Sequence, residues 1–447
     1  MRTLALAAAL AAAIPTLAEA NEAKRFDAVL AGHAVLPAET LIPAPADAPL
    51  ALQVSGKFTE RGNPARIDAA PTDGAELPFK GQPVQGFSGI KRIDDKRYYV
   101  LTDNGFGSMA NSPDAMLFFH IVAPDFEAGT VTIEKTVFLS DPNKVVPFVL
   151  TMEGSETRYL TGADFDIEGF QVVGGEIVIG DEFGPYVIVA DVNTGVVKEF
   201  HQTVVDGKVV KSPDHYTLRL PNPGGKLPEF TAKRSRGYEG FASSMDGETL
   251  YPLLEGPLWQ ADKGDWERVP DGRAALRILE MKAKTREWTG RSWFYPVENE
   301  SHAIGDFNMI DATRGLIIER DGGQGDAELV CKSGETENCF KRPAQFKRVY
   351  MIDFAGVEPG QPVKKVAYID LLDIKDPNGV ARLGKREDGR FTFPFVTIED
   401  VDRVDETHVI VANDNNFPFS VGRALGKRDN NEMILLEVGA FLKAAAM

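Results

Sequence analysis

The sequence has few of the residues that carry thiol or imidazole chemistry. Its 447 residues include two cysteines and six histidines. We find no P-loop and no H-E-x-x-H motif. There is also no adjacent Arg-His pair of the kind that a histidine phosphatase uses, and neither cysteine has an arginine six positions on, as a cysteine phosphatase requires. These absences exclude the hydrolase classes that depend on those motifs.

A serine-hydrolase elbow is missing as well. The segment GFSGI around Ser88 has Ile90 where the G-x-S-x-G motif requires glycine, and the elbow needs a strand-turn-helix context. We therefore expect Ser88 to be a turn or channel-lining hydroxyl and not a nucleophile.

Basic residues are too few to suggest nucleic acid or an anionic membrane surface as the main partner. The chain has 49 Lys and Arg against 66 Asp and Glu, which gives a formal net charge of -17. Both of those partners need a basic patch on the protein. We expect no nucleic-acid partner, whereas the acidic balance permits a protein that binds cations.

Long apolar runs are confined to the N-terminus. The first residues combine the basic Arg2, an apolar stretch over 4–14 and a small-x-small ending at 18–20. This is the pattern of a secretory signal peptide, and the apolar stretch is too short to span a bilayer as a permanent helix. We predict a signal peptide at residues 1–20, a mature chain that begins at Asn21, and a periplasmic or secreted protein without stable membrane insertion.

The two cysteines lie close together in the polar segment CKSGETENC. In an oxidising compartment Cys331 and Cys339 could close a small disulfide ring. A metal site is the weaker alternative, because two thiolates with no nearby histidine lack a complete ligand set.

Long amphipathic helices are not evident after the signal, and two short signatures recur instead. One is an apolar run that ends on an acid followed by turn residues; its copies are YYVLTDNGFG, EIVIGDEFGP, TLYPLLEGP, GLIIERDGG and HVIVANDNNFP. Each copy follows a second signature at a similar offset, namely GFSGI, DIEGF, GYEGF, AIGDF and TIEDV. Such pairs, set among β-branched and aromatic runs broken by turn residues, predict a repeated unit of short strands.

The repeats predict an all-β chain folded as a single β-propeller. Units of roughly 65 to 95 residues with variable loops suggest six blades. We expect residues 21–79 to form an N-terminal segment that joins the propeller and residues 80–447 to form the propeller domain. No low-complexity linker divides the chain, and we expect a monomer.

The acids of the signatures would converge near the central channel if each signature occupies the same place in its blade. Such a ring repels itself unless cations or basic side chains neutralise it. Hard oxygen ligands favour Ca²⁺, with Mg²⁺ as the second choice. A purely structural cation or a solvated ring of acids is the alternative. The predicted metal ligands are Asp103, Asp166, Glu168, Glu182, Glu239, Glu255, Glu319, Glu399 and Asp414.

Four residues are candidate catalytic groups. Glu168 and Glu239 are acids of the second signature. Arg320 could hold a phosphate through its planar fork, and its alternative role is an ion pair with a channel carboxylate such as Glu319 or Asp321. His302 could exchange a proton near neutral pH, and its alternative role is that of a hydrogen-bonded structural residue.

At these signatures the chain resembles the phytase-like propeller family whose members are described as "esterase-like activity of phytase". The matching stretches include YYVLTDNGFGS, DFDIEGF, GDEFGPY, RGYEGFA, ESHAIGDFNMIDATRGLIIERDGG and VIVANDNNFPF. The resemblance spans about residues 80 to 420. It implies a β-propeller and the hydrolysis of a phosphoester or ester, while the chemistry itself has to be argued from the site.

The leading hypothesis is an exported, Ca²⁺-dependent phosphoesterase that acts on small anionic phosphate esters. One alternative is a non-enzymatic envelope propeller that binds a metal, sugar or protein partner. The other is a Ca²⁺-dependent lactonase or carboxylesterase, which would need an apolar pocket. The aromatic residues that could line such a pocket are Phe106, Phe183, Tyr186, Trp259 and Phe417.

Overall fold

Short antiparallel strands account for almost all regular structure in the computed structural model of the chain. The structure describes residues 23–59, 72–103, 105–218, 224–226 and 228–445. The signal peptide predicted at residues 1–20 lies outside the described residues.

Twenty of the strands form five blades of four antiparallel strands, and we give the strands of each blade from the inner strand outward. Blades 2 and 3 are separate sheets, whereas the N-terminal strand joins blades 1, 4 and 5 into one sheet of 13 strands. Blade 1 comprises Ile90–Arg92, Tyr98–Thr102, Phe118–Asp125 and Thr130–Phe138. Blade 2 comprises Ile167–Val173, Glu176–Asp181, Tyr186–Asp191 and Val197–Gln202. Blade 3 comprises Tyr238–Ser243, Thr249–Leu254, Ala275–Lys282 and Trp288–Pro296. Blade 4 comprises Ala303–Met309, Arg314–Arg320, Lys347–Asp353 and Lys364–Lys375. Blade 5 comprises Asp400–Arg403, His408–Ala412, Asn431–Glu437 and the N-terminal strand Lys24–Leu36.

The local sequence explains how these hairpins form. In blade 2, for example, Val173 pairs with Glu176 across a two-residue turn of Gly174 and Gly175. Both glycines have positive φ, 61° and 82°, which is the backbone that a tight hairpin turn of the I′ type requires. The flanking strands are rich in valine and isoleucine, whose branched side chains suit a pleated, buried surface.

The blades are arranged in a ring around a common axis. The inner strand of each blade contacts the inner strands of its two neighbours, and blade 5 returns to contact blade 1. The all-β propeller predicted from the sequence is therefore confirmed. Within the described residues the ring has five blades and not the six that we expected, because the extra length of the chain lies in loops.

The N-terminal strand closes the ring. Its second half pairs antiparallel with Asn431–Glu437 as the outer strand of blade 5. Its first half pairs in parallel with Lys364–Lys375, the outer strand of blade 4, and Val35 pairs with Thr130 of blade 1. Strands from both ends of the chain are thus needed to complete the last blade.

A buried polar contact reinforces this closure. Nε2 of His33 on the N-terminal strand lies 2.9 Å from Glu432 of the neighbouring strand. The same carboxylate accepts a hydrogen bond of 2.7 Å from Arg423. All three side chains are nearly inaccessible to solvent. The charge of Glu432 is therefore compensated within the fold, as a buried charge requires.

Apolar side chains between adjacent blades form the core. Leu101 and Phe119 of blade 1, for example, share one cluster with Ile179 and Ile188 of blade 2. Facing sheets that bury their inner surfaces in this way gain stability roughly in proportion to the apolar area removed from water.

The remaining elements are short. The strand pairs outside the blades are Leu41–Ile42 with Gln82–Pro83, Val204–Val205 with Lys208–Val209, Trp259–Gln260 with Asp265–Trp266, and Arg390–Phe391 at the end of Lys364–Lys375. The helical segments are the 3₁₀ turns Leu50–Leu52, Thr72–Gly74 and Ala327–Leu329 and the α-helix Gly439–Leu442.

Among the described residues, no helix is long and apolar enough to cross a membrane. The predicted Cys331–Cys339 disulfide is present, with sulfur atoms 2.04 Å apart.

Removing the N-terminal strand should open the ring and destabilise the whole propeller. A chain that begins at Pro37 loses the buried side chains Leu30 and Leu36, each of which contributes roughly 1.5–3 kcal/mol by burial, and exposes an unpaired edge in blade 5. We expect its melting temperature to fall by at least about 5 °C. A chain that begins at Ala23 is the control and should melt like the full mature protein. Equal melting of the two shortened chains would contradict closure by this strand.

Candidate functional site

The strand register defines equivalent positions in the five blades. The inner strand pairs with the second strand at Ile90 with Val100, Phe170 with Ile179, Phe241 with Pro252, Phe307 with Ile317, and Val401 with Val411. One row consists of the residues that lie three positions after the second-strand partner, namely Asp103, Glu182, Glu255, Arg320 and Asp414. The other row consists of the residues that lie two positions before the inner-strand partner, namely Ser88, Glu168, Glu239, Gly305 and Glu399. These two rows bring acids from four blades to the axis and an arginine from the fifth.

Residues of both rows line one cavity of about 310 Å³. Its acidic lining residues are Asp103, Asp166, Glu168, Glu182, Glu239, Glu255, Glu399 and Asp414. Except for Asp103, which is half-buried, all of them are buried. The structure therefore brings together eight of the nine predicted metal ligands, and the exception is Glu319.

Three groups of these carboxylates are compact enough to share a cation. In each group, one oxygen from every member lies within 4.8 Å of the others. The groups are Asp166 with Glu168 and Glu182, Glu168 with Glu239 and Glu399, and Glu182 with Glu239 and Glu255. Because the groups share members, the cavity provides a continuous set of oxygen donors. All members of these groups are carboxylates, so the groups contain no nitrogen or sulfur donor. Such a donor set is typical of sites for hard divalent cations.

Blade 4 departs from the acidic pattern and supplies a counter-charge. It has Gly305 where three other blades have glutamate, and a Cβ there would lie 2.5 Å from the carbonyl oxygen of Ile398. Arg320 stands in the row at the ends of the second strands and donates a hydrogen bond of 2.6 Å to Glu399. Its guanidinium is also 3.7 Å from Glu239. The ion-pair alternative that we considered for Arg320 is thus observed, with acids of the ring as partners and not with Glu319.

A second guanidinium lies in the wall of the cavity. Arg236 forms an ion pair with Glu255, and this charge raises the pKa of Arg236. The preceding Ser235 has a left-handed backbone, with φ 45°. A Cβ at Gly256 would lie 2.8 Å from Cβ of Arg236, so this glycine permits the close packing of the arginine against the strand end.

Burial is the main cause of the raised pKa values of Asp103, Asp414 and Glu399. It raises the pKa of Asp103 and of Asp414 to about 8, and the charges of Asp166 and Asp103 respectively add to these shifts. Burial also raises the pKa of Glu399 to about 7, although the charge of Arg320 opposes this change. In the absence of a cation, part of the ring therefore holds protons at neutral pH.

Three glutamates of the cavity have strongly raised pKa values. Burial, followed by repulsion from neighbouring carboxylates, raises the pKa of Glu168, Glu182 and Glu239 well above the ordinary value. Among the described residues, Oε1 of Glu182 and Oε1 of Glu239 have no hydrogen-bond partner although both atoms are buried. Buried carboxylate oxygens without partners are costly, and a bound cation would satisfy them.

Two predicted site residues lie elsewhere. Glu319 is one position out of phase with the ring, and neighbouring residues of a strand point to opposite faces. Its carboxylate accepts hydrogen bonds from Tyr295 at 2.8 Å and from Lys365 at 2.7 Å. His302 contacts the same carboxylate through Nδ1 at 2.8 Å, and its ring lies 4.2 Å from that of Phe346. Neither residue is among the described lining residues of the cavity.

Sequence reasoning missed a second polar layer at the axis. Oδ1 of Asn308 in blade 4 accepts hydrogen bonds of 2.9 Å from Lys91 of blade 1 and from Gln171 of blade 2. Its amide donates to the buried Asp306 at 3.0 Å. The only available signal was Asp306 within the AIGDF signature. These contacts fix the inner strands relative to each other, so the carboxylates of the ring cannot easily move apart.

The aromatic residues considered for an apolar pocket do not line the cavity in the described part of the chain. Phe106, Phe183, Tyr186 and Phe417 are each at most 3% exposed. Of the five, only Trp259 reaches the surface, where it contacts Trp266. The cavity itself is polar.

The comparison with protein families agrees with the sequence resemblance. The family described as "Phytase-like: Esterase-like activity of phytase" matches residues 82–417. A comparison with curated proteins finds no match. A luciferin-regenerating enzyme is 11% identical, with 85% of this chain and 97% of that chain covered and a TM-score of 0.31. The Dos1 propeller is 9% identical, with 81% and 69% covered and a TM-score of 0.30. Structural likeness at this level carries no argument about function.

The metal-free protein should lose stability as pH rises from about 6.5 to 8. Acids with raised pKa values bind more protons in the folded than in the unfolded protein over this interval, so the free energy of unfolding falls with pH. The pKa values of about 8 for Asp103 and Asp414 set the upper end. The pKa of Lys347 is lowered to about 7, so this residue increases the free energy of unfolding as pH rises above 7. It is a single group and opposes several acids.

Thermal melts in chelator across this range provide the measurement. Millimolar Ca²⁺ should raise the melting temperature more at pH 8 than at pH 6.5, because fewer protons then compete for the carboxylates. A melting temperature that rises with pH in chelator, together with no response to Ca²⁺, would contradict this account of the cavity.

Proposed function

The chain belongs to the phytase-like family described as "esterase-like activity of phytase", and from this membership and the carboxylate-lined cavity we propose that it is a Ca²⁺-dependent phosphoesterase acting on small anionic phosphate esters. The observation that carries the proposal is the convergence of eight acidic residues with Arg320 and Arg236 in one cavity. A site of this kind offers oxygen donors for a divalent cation and guanidinium groups for an anion.

The residues present fit a hard divalent cation. The donors are carboxylate oxygens, and two of them, on Glu182 and Glu239, are buried without hydrogen-bond partners among the described residues. We propose that Glu168, Glu182 and Glu239 contribute most to holding Ca²⁺, since each belongs to two of the carboxylate groups. When bound, such an ion would screen phosphate charge and activate water.

The chain's own residues would orient the substrate. Arg320 donates to Glu399 at 2.6 Å and lies 3.7 Å from Glu239, so it holds both acids in place and contributes positive charge to a bound phosphate. Arg236 lies in the wall of the cavity, where it pairs with Glu255 and would also contribute positive charge to a bound phosphate. For His302, which contacts Glu319 outside the described cavity lining, we propose a positioning role instead of proton transfer.

The polarity of the cavity favours phosphate esters over apolar esters. A lactonase or carboxylesterase site would be lined mainly by apolar groups, whereas four of the five candidate aromatics are buried in the core. A volume of about 310 Å³ suits a small substrate.

We also propose that the protein is exported. This rests on the N-terminal sequence pattern and is supported by the Cys331–Cys339 disulfide, because disulfides persist mainly in oxidising compartments.

Assays with three substrates test the proposed activity. Purified mature protein should release phosphate from phytate or from p-nitrophenyl phosphate, lose this activity in chelator, and recover it with Ca²⁺. Hydrolysis of p-nitrophenyl acetate alone would favour the carboxylesterase alternative. Turnover of none of the three by a protein that still binds Ca²⁺ would favour the non-enzymatic binding alternative and reject the phosphoesterase.

Glu168→Gln should weaken cation binding. The change keeps the size of the side chain but removes the charge shared by two carboxylate groups, so we expect the Kd for Ca²⁺ to rise about tenfold or more, equivalent to about 1.4 kcal/mol. Isothermal titration and melts with and without Ca²⁺ provide the measurement.

The matched control is Glu248→Gln, on an exposed turn of blade 3, and it should bind Ca²⁺ like the wild type. A ring that only carries solvated acids predicts a different outcome: Glu168→Gln would be as stable as the wild type or more stable, and neither protein would respond to Ca²⁺.

A further inference from the structure

A long loop of blade 4 begins at the cavity. Residues 321–346 connect its second and third strands, and Gly322 at the start of this loop lines the cavity. The loop directly follows Arg320, which is paired with acids of the ring. The loop therefore leaves the site from the one blade that contributes a cation instead of a carboxylate.

Contacts between its two arms hold the loop in place. The backbone nitrogen of Gln324 donates to the carbonyl oxygen of Arg342 at 2.9 Å, and that of Ala344 donates to Gly325 at 3.0 Å. The Cys331–Cys339 disulfide closes the distal part of the loop. Gly325 also donates to the carbonyl of Pro394 at 2.8 Å, which ties the loop to the chain that leads into blade 5.

These contacts place Arg342 beside the cavity. A Cβ at Gly322 would lie 3.3 Å from Nη2 of Arg342, so the guanidinium lies against a residue of the cavity lining. Arg342 is exposed. In the described ranges it forms no ion pair, whereas Arg320 and Arg236 both contact acids of the ring. Arg342 is thus a guanidinium beside this site that no carboxylate of the described residues contacts.

We propose that Arg342 is a specificity-determining residue that contacts the anionic group of the substrate at the mouth of the cavity. The proposal deepens the proposed function and rests on it. The acidic cavity alone would repel an anion, and an exposed guanidinium with free donors provides attraction and bidentate hydrogen bonds. Phosphate and carboxylate groups share this chemistry, and the test separates them.

The variant Arg342→Gln tests the proposal, with Lys341→Gln as the matched control. Both positions are exposed neighbours in the same loop, so both variants should melt like the wild type and bind Ca²⁺ equally well. With Ca²⁺ present, titration with inorganic phosphate should show a Kd about tenfold higher for Arg342→Gln and an unchanged Kd for Lys341→Gln. A parallel titration with acetate should show a smaller effect if phosphate is the preferred group.

Kinetics separate a failure of this proposal from a failure of the proposed function. For an active enzyme, Arg342→Gln should raise KM for p-nitrophenyl phosphate, leave kcat within about twofold, and recover partly as Arg342→Lys. If the wild type hydrolyses no ester but Arg342→Gln still weakens phosphate binding, the phosphoesterase is rejected and the anion contact stands. Equal phosphate affinity of Arg342→Gln and the wild type, or no phosphate binding by the wild type, would overturn the role of Arg342.

Discussion

Repulsion among buried carboxylates is the constraint on which the rest of the site depends. Eight acidic residues line one cavity, and the strands that carry them are fixed by blade packing and by the polar layer around Asn308. The acids therefore cannot relieve their repulsion by moving apart. Arg320 and Arg236 compensate only part of the charge, so protons or cations must supply the remainder. This requirement, more than any single ligand distance, makes the propeller axis the candidate functional site.

The charge of the cavity is distributed unevenly, and blade 4 is the reason. Blades 1, 2, 3 and 5 contribute carboxylates, whereas blade 4 contributes Arg320 and, through its long loop, places Arg342 beside Gly322 of the cavity lining. The absence of a side chain at Gly305 leaves the inner strand close to blade 5. The cavity combines carboxylates from four blades with the guanidinium groups of Arg320 and Arg236, so one space offers ligands to a cation and hydrogen-bond donors to an anion. This combination of groups is the one that the proposed binding of a metal-associated phosphate would need.

Much of this organisation is predictable from the sequence because the paired signatures repeat the geometry of one blade. The repeats predict the propeller and bring eight of the nine predicted ligands together. The prediction that Glu319 belongs to the ring is wrong. Glu319 and Arg320 are consecutive charged residues, and only the strand register shows that Arg320 occupies the position equivalent to the acids of the other blades. The expected sixth blade came from chain length, which the structure assigns to loops. The position of Arg342 depends on the course of a loop, which has no periodicity from which it could be predicted.

The closure of the ring also decides when the site is complete. Glu399 and Asp414 belong to blade 5 and its strand ends, and that blade needs the N-terminal strand as well as Asn431–Glu437. These elements are almost the full length of the chain apart, and pairing of such distant segments is a slow step in folding. The carboxylates of blade 5 therefore meet those of blades 2 and 3 in a ring that the first and last strands close. A cation that neutralises the assembled ring would stabilise the closed propeller by mass action, so occupation of the site and closure of the fold support each other.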